Sequence, residues 1–341
     1  MSDRCILLSH GSGGKLSHQL IGELFLKAFD NELLAPLNDQ AVFSIASSET
    51  PAPRLAFTTD SYVVSPIFFP GGDIGTLAVC GTINDLAMGG AEPLYLSASF
   101  IIEEGLGMDE LERIVHSMAR TAEQAGVKIV TGDTKVVERG KGDKIFINTA
   151  GIGIVRGGVT LSPARCSPGD LIIVSGYVGD HGIAVMAQRE GIQMEVPVAS
   201  DCAPLHALVR EMLSIEGAVK ALRDPTRGGL ATTLNEFAAS SGHGMIVREE
   251  AVPVREEVRG ACELLGLDPL YLANEGKLVA VVARDSATHV LDAMRKNHLG
   301  RQSAIVGEVL AEPQRRVLLE TAVGNTRVLD MLTGEQLPRI C

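Results

Sequence analysis

The sequence predicts two α/β (α+β) domains followed by a short tail. Three observations predict it. Strand-like and helix-like patterns alternate from Leu16 to Val155 and begin again at Leu171. The stretch between them, VRGGVTLSPARCSPGD (Val155 to Asp170), is dense in Gly, Pro and Ser and reads as a junction. A length of 341 residues amounts to two domains of about 150 residues, and 45% hydrophobic with 21% charged residues is a globular balance. The expected boundaries are 1–156, 157–333 and a mobile tail, 334–341.

The elements follow in order. Leu16, Leu20, Ile21, Leu24, Phe25, Ala28 and Phe29 share one face of a helix directly after HGSGGK, His10 to Lys15. RLAFTTDSYVV, Arg54 to Val64, reads as a strand. SPIFFPGG, Ser65 to Gly72, reads as buried core or as a partner surface. Asp73 is the expected N-cap of a helix that stops at Gly89-Gly90. Then come a strand at 95–102, a helix at 108–125, a strand at 127–130 running into TGDTK, and the strand KIFINTAGIGIV. The second series has a strand from Leu171 and helices near 181–189, 205–213 and 229–240. A helix near 254–265, a strand at 278–282, a helix at 285–296 and strands near 305–309 and 316–320 complete it.

A net charge of −12 argues against nucleic acid or an anionic membrane as the main partner, because phosphate backbones are held by Lys and Arg. No stretch approaches the roughly 20 apolar residues of a membrane span. The N-terminal apolar run is short for a signal peptide. The six cysteines, Cys5, Cys80, Cys166, Cys202, Cys262 and Cys341, are dispersed, with no CxxC pair. That usage fits a reducing, cytoplasmic compartment.

Five motifs carry possible chemistry. HGSGGK brings small residues and a helix N-terminus to bear on an anion, yet lacks the Walker A spacing; a tight turn before a helix is the plainer reading. Asp60 in TTDS, Asp85 in TINDLAMGG, Asp133 in TGDTK and Asp224 in RDPTRGG are read as carboxylates at element ends near Gly or hydroxyl residues. Mg²⁺ takes such hard oxygens and shares them with phosphates. Asp39 in NDQAVF is a fifth candidate. In RDPTRGGL, Pro225 holds Asp224 extended, Gly228-Gly229 open a helix and Arg227 could clamp a phosphate. Glu275 in NEGKL and Lys135 are candidate bases; His10 and His181, each beside a Gly, are ambiguous. The chain ends PRIC. Gly334 to Cys341 could span at most about 23–25 Å, enough for a terminal thiol to swing into a site.

Together these motifs resemble the HypE carbamoyl dehydratases of nickel–iron hydrogenase maturation. The resemblance runs nearly the whole chain through HGSGGK, TTDSYVVSPIFFPGGDIG, CGTINDLAMGGAEP, VTGDTKVVERG, VSGYVGDHG, ALRDPTRGGL, NEGKLV and PRIC. The wider superfamily is that of aminoimidazole ribonucleotide synthetase, selenophosphate synthetase and thiamin-phosphate kinase. The resemblance implies that superfamily's two-domain fold, a homodimer paired through the N-terminal domains, and ATP near the interface. It implies that the carbamoyltransferase HypF loads a carboxamide on Cys341, that ATP-driven dehydration makes a thiocyanate, and that HypC–HypD receives the cyanide. Asp60, Asp85, Asp133 and Asp224 match the family's Mg–ATP carboxylates. Asp39 stands where relatives carry a paired Asp-Asp-Ala, here Asn38-Asp39-Gln40-Ala41. His10, Gly11, Gly13, Gly14 and Lys15 match a segment covering the nucleotide, with Asn84 and Arg227 as further ATP contacts. Pro338 and Arg339 match the tail. Two other readings stand beside this one: a selenophosphate-type synthetase using Cys5, and a non-enzymatic metallochaperone using Cys341.

Overall fold

A computed structural model describes residues 6–29, 31–45, 52–332 and 339–341. The first helical stretch is α1 (Lys15–Leu20), a π turn (Ile21–Phe25) and α2 (Leu26–Ala28). Its apolar face is not covered: Leu16, Leu24, Phe25 and Phe29 stay exposed in the single chain.

The N-terminal domain contains β1 (Ala41–Ser44), β2 (Arg54–Tyr62), the ribbon β3 (Phe68–Phe69) and β4 (Gly72–Asp73), and α3 (Ile74–Met88). After these come β5 (Ala91–Glu103), α4 (Met108–Ala125), β6 (Lys128–Val137) and β7 (Ile145–Val155). The sheet order is β1-β2-β7-β5-β6, antiparallel except for the β5–β6 pair. Asp73 caps α3 as expected, accepting from the Gly75 and Thr76 amides at 2.9 Å. Helix α3 is apolar all round, so it cannot lie on a surface; it is buried between this sheet and the second domain. Gly81 is required there, because a side chain would run into the Tyr62 hydroxyl. Ile67 and Phe69 of SPIFFPGG are buried in the same core, the first of the two readings of that segment.

The C-terminal domain contains β8 (Leu171–Val174), α5 (Asp180–Glu190), α6 (His206–Met212), β9 (Val219–Arg223), α7 (Gly229–Ser241), β10 (Gly244–Arg248) and α8 (Glu256–Leu265). It continues with β11 (Val279–Val282), α9 (Ala287–Lys296), β12 (Ala304–Leu310), β13 (Val317–Glu320) and β14 (Thr326–Val328). The seven-stranded sheet runs β14-β13-β10-β12-β8-β11-β9, with apolar side chains buried on both faces. The sequence pattern misses β1, β9, β10 and β14, none longer than five residues. Too few residues alternate there to set a period.

Candidate active site

The aspartates do not sit where element-end reasoning puts them. Asp85 lies inside α3, Asp60 within β2 and Asp133 within β6; of the four, only Asp224 follows a strand end. Strand β2 alternates, so Thr58, Asp60 and Tyr62 face α3. The Thr58 hydroxyl lies 2.8 Å from both Asp85 Oδ2 and the Asp39 carbonyl oxygen. It has one proton, so an Asp85 carboxyl that carries its own proton satisfies all three groups. Asp224 follows β9 and is buried beside them.

The four carboxyls of Asp39, Asp60, Asp85 and Asp224 act on one another. Burial raises each above the ordinary carboxylate range. Asp224, Asp60 and Asp39 then push Asp85 higher, and Asp39 helps to push Asp224 to about 8. Arg223 offsets part of this, pairing with Asp39 at 3.0 Å and with Glu236. Such crowding of hard oxygens fits a divalent cation, whose charge would relieve the repulsion. Among the described residues no three His, Cys, Asp or Glu form a ready metal cage. An ion here would therefore share its ligands with phosphate oxygens, as Mg²⁺ does.

Two more groups close the cluster. Glu275 is 2% exposed, its Oε1 has no hydrogen-bond partner, and burial raises its carboxyl well above normal, with Asp224, Asp201 and Asp60 adding to the rise. Arg227 bears on Cys341, Asp60 and Glu275 and donates to the Gly11 carbonyl at 2.6 Å. The glycines of HGSGGK are thereby held against Arg227. Gly13, at φ +76°, rests on the Arg227 backbone, and Gly14 leaves room for the Leu332 carbonyl.

The last three residues, Arg339 to Cys341, lie along Val63–Ser65. Val63 N–H donates to a main-chain oxygen of Cys341 at 3.1 Å, Ser65 N–H to the Arg339 carbonyl at 3.1 Å, and Arg339 Nε back to the Val63 carbonyl at 2.9 Å. Asp143 pairs with Arg339, and Arg189 donates to the Arg339 carbonyl at 2.9 Å. Ile340 is buried in the N-terminal core. His181 Nε2 lies 2.8 Å from the Ile340 carbonyl, and Nδ1 lies 2.8 Å from Ser200 Oγ. Burial keeps this imidazole neutral, and a carbonyl only accepts, so Nε2 carries the proton and Nδ1 accepts from Ser200. The Cys341 thiol comes to rest beside Arg227, Glu275, Asp60 and Asp224. Burial is the main cause that pushes it up to about 12, against the pull of Arg227.

Several expected residues are placed elsewhere. Both Asn84 amide protons go to the carbonyls of Ala203 and Glu275, at 3.1 Å each, and its oxygen accepts from Leu205 N–H. It clasps the two domains and has no donor left for a nucleotide. His10 folds back on Leu7, and Lys15 pairs with Asp330 at 2.7 Å. Asp133 and Lys135 are exposed and pair with each other at 2.5 Å. The register places Asp60 in line with Thr149 and Ala98 on the inner face, but Asp133 in line with Ser99, Asn148 and Ser61 on the outer face. Asp133 is also three strands away, about 14 Å at the usual spacing. One chain therefore does not bring Asp133 or Lys135 to its own cluster. Cys5, Gly334 and Pro338 lie outside the described residues. Sequence reasoning undervalued Arg223, Arg189 and Asp143; their partners are far away in the chain and leave no local motif.

Models of the AIR synthase related protein N-terminal and C-terminal domains match residues 37–155 and 167–320. The chain is 55% identical to the carbamoyl dehydratase HypE of Cupriavidus necator over 334 residues, 98% of this chain and 94% of that one. It is 50% identical to that of Escherichia coli K12 over 336 residues, 98% and 99% of the two. The chain belongs to the HypE carbamoyl dehydratase family. A HypE crystallised in complex with ATP superposes with a TM-score of 0.81 at 53% identity, covering 99% of this chain and 100% of that one. HypE from a HypE–HypF complex does so at 0.86 and 48%, covering 92% and 99%. The thiamine monophosphate kinase of Aquifex aeolicus shares the fold alone, at 18% identity, TM-score 0.66 and coverage of 92% and 99%. The family's reaction gives the buried tail a purpose that the fold by itself does not.

Proposed function

We propose that Cys341 carries the substrate of an ATP-dependent carbamoyl dehydratase, in which a carboxamide on its sulfur loses water to become a thiocyanate. The observation that carries this is the docked tail, which sets the Cys341 thiol beside Glu275, Arg227 and the aspartate cluster. Among the described residues no soft ligand set surrounds the thiol, which speaks against the metallochaperone reading.

The chemistry balances as follows. An amide oxygen is a poor leaving group; transfer of the terminal phosphoryl of ATP to it makes phosphate the leaving group. Loss of both amide N–H protons and of phosphate leaves S–C≡N, with ADP as the other product. Asp60, Asp85 and Asp224, with Asp39 beside them, would hold Mg²⁺ against the phosphates, where the ion supplies charge neutralisation for phosphoryl transfer. Arg227 is placed to bear on charge that develops on the transferring oxygens. Glu275 is the base we assign to an amide N–H proton. Its carboxyl is raised without other cations, so it becomes a base as cations enter beside it.

The docked thiol is held as S–H, so loading with carboxamide belongs to a released tail and dehydration to the docked one. HypF is the proposed loading partner, HypC–HypD the cyanide acceptor, and the cytoplasm the compartment; among the described residues no helix is long and apolar enough to cross a membrane. A homodimer is proposed from the outer face of the N-terminal sheet. Phe57, Tyr95, Ile101, Ile152 and Ile154 are all exposed there, and β6 is an unpaired edge with Val136 68% exposed. Pairing through that face would let Asp133 and Lys135 serve the partner's site.

The test is the mass of the C-terminal peptide after incubation with HypF, carbamoyl phosphate and MgATP. A carboxamide adduct on Cys341 that then loses one water supports the reading. An unmodified Cys341, with HypF shown active on another acceptor, sinks it.

A further inference from the structure

Away from the tail site, α5 and α8 flank an open groove of about 430 Å³. Ile183 and Ala187 of α5 form one wall, Ala261, Leu264 and Leu265 of α8 the other, and Met194 of the loop that follows α5 closes one side. Leu264 is 76% exposed and Val196, on the rim, 55%. A groove this size accepts two or three apolar side chains.

Two independent features say what kind of chain fits it. The lining includes Glu195, Glu256 and Glu257 and no Lys or Arg. The nearest cation on α5, Arg189, points the other way, to the carbonyls of Ser65 and Arg339. Glu256 and Glu257 also suit the first turn of α8, but Glu195 lies in a loop and has no such role. The second feature is Gly260. It sits inside α8, where Gly is a poorer helix former than Ala, and its φ is ordinary. A Cβ at Gly260 would meet nothing within 4 Å, so packing within this chain does not require it. Its absent side chain leaves open space along the groove wall.

We propose that this groove docks a helical segment of a partner protein, one with apolar side chains at i, i+3 or i+4 flanked by Lys or Arg. Helix-in-groove recognition of this kind uses apolar anchors for affinity and the charged rim for selection. The site is separate from the Cys341 reading and stands or falls without it.

The test uses the full chain and three labelled helical peptides, followed by fluorescence anisotropy. One has Leu anchors with Lys flanks, one Leu anchors with Glu flanks, and one Ser in place of Leu with Lys flanks. The first should bind at least about tenfold tighter than the other two, and Gly260→Leu and Ala261→Glu should each weaken it by about tenfold or more. Gly260→Leu should also raise the thermal midpoint, since it improves the helix, which separates lost binding from lost folding. Equal binding of the Leu and Ser peptides would mean charge alone and overturn the proposal. So would binding that survives both variants. If light scattering shows self-association that Gly260→Leu abolishes, the occupant is a second copy of this chain, and the proposal is likewise overturned.

Discussion

The docked tail makes a quantitative prediction at His181. Its Nε2–H bond to the Ile340 carbonyl joins it to the tail, whereas its contact with Ser200 involves no tail residue. The substitution His181→Phe keeps an aromatic ring against Phe69, now at 5.4 Å between ring centres, and removes the donor. A buried carbonyl left without a partner costs about 1–3 kcal/mol. The lost Ser200 contact cancels between the two states, so this cost falls wholly on docking. The released fraction should therefore rise by about 5- to 160-fold, up to saturation. Alkylation of Cys341 by iodoacetamide reads that fraction, because the docked thiol is half-buried and its pKa is pushed up to about 12, so little of it is thiolate. The C-terminal peptide mass gives the rate, and Cys166 and Cys262, both 2% exposed, provide the internal control. An unchanged rate at Cys341 would refute the latch. Equal acceleration at all three cysteines would mean general loosening, and would refute it too.

Three further outcomes follow from the cluster. Glu275→Gln should slow water loss by about 10²–10⁴-fold and leave loading of Cys341 intact, read by peptide mass. Its thermal midpoint should hold, since Glu275 Oε1 has no partner to lose; a stalled loading step would count against the assignment. Asp224→Asn removes one of four mutually repelling carboxyls, so the metal-free chain should melt higher while the rise brought by MgATP shrinks. A full MgATP shift in that variant would place the ion elsewhere. Lys135→Ala and Cys341→Ala chains, each inactive alone, should recover about a quarter of wild-type turnover when mixed and re-paired at random, because one site per mixed dimer is complete. No recovery would put Lys135 to work in its own chain.

The parts of this molecule that were legible in the sequence are those with local causes. Asp73 capping α3 and the strand at β2 each depend on neighbours within a few residues. The tail's target was legible only as a motif, since nothing in PRIC says that Ile340 fits the N-terminal core or that Arg189 and Asp143 receive Arg339. Asp133 shows the harder failure. Its motif reads like those of Asp60 and Asp224, yet one residue of register sends it to the opposite face of the sheet. A sequence motif fixes residue type and order; which face a strand residue takes is set by pairing with strands far away in the chain. The same register also explains why Asp133 and Lys135 are exposed beside Tyr95 and Ile101 rather than beside Asp60. A candidate metal carboxylate on that outer face reaches no other carboxylate of the cluster in its own chain. Paired across a dimer, the same face would complete a site that one chain leaves short of a cation and a carboxylate, which is the outcome that the mixed-chain experiment separates from every single-chain account.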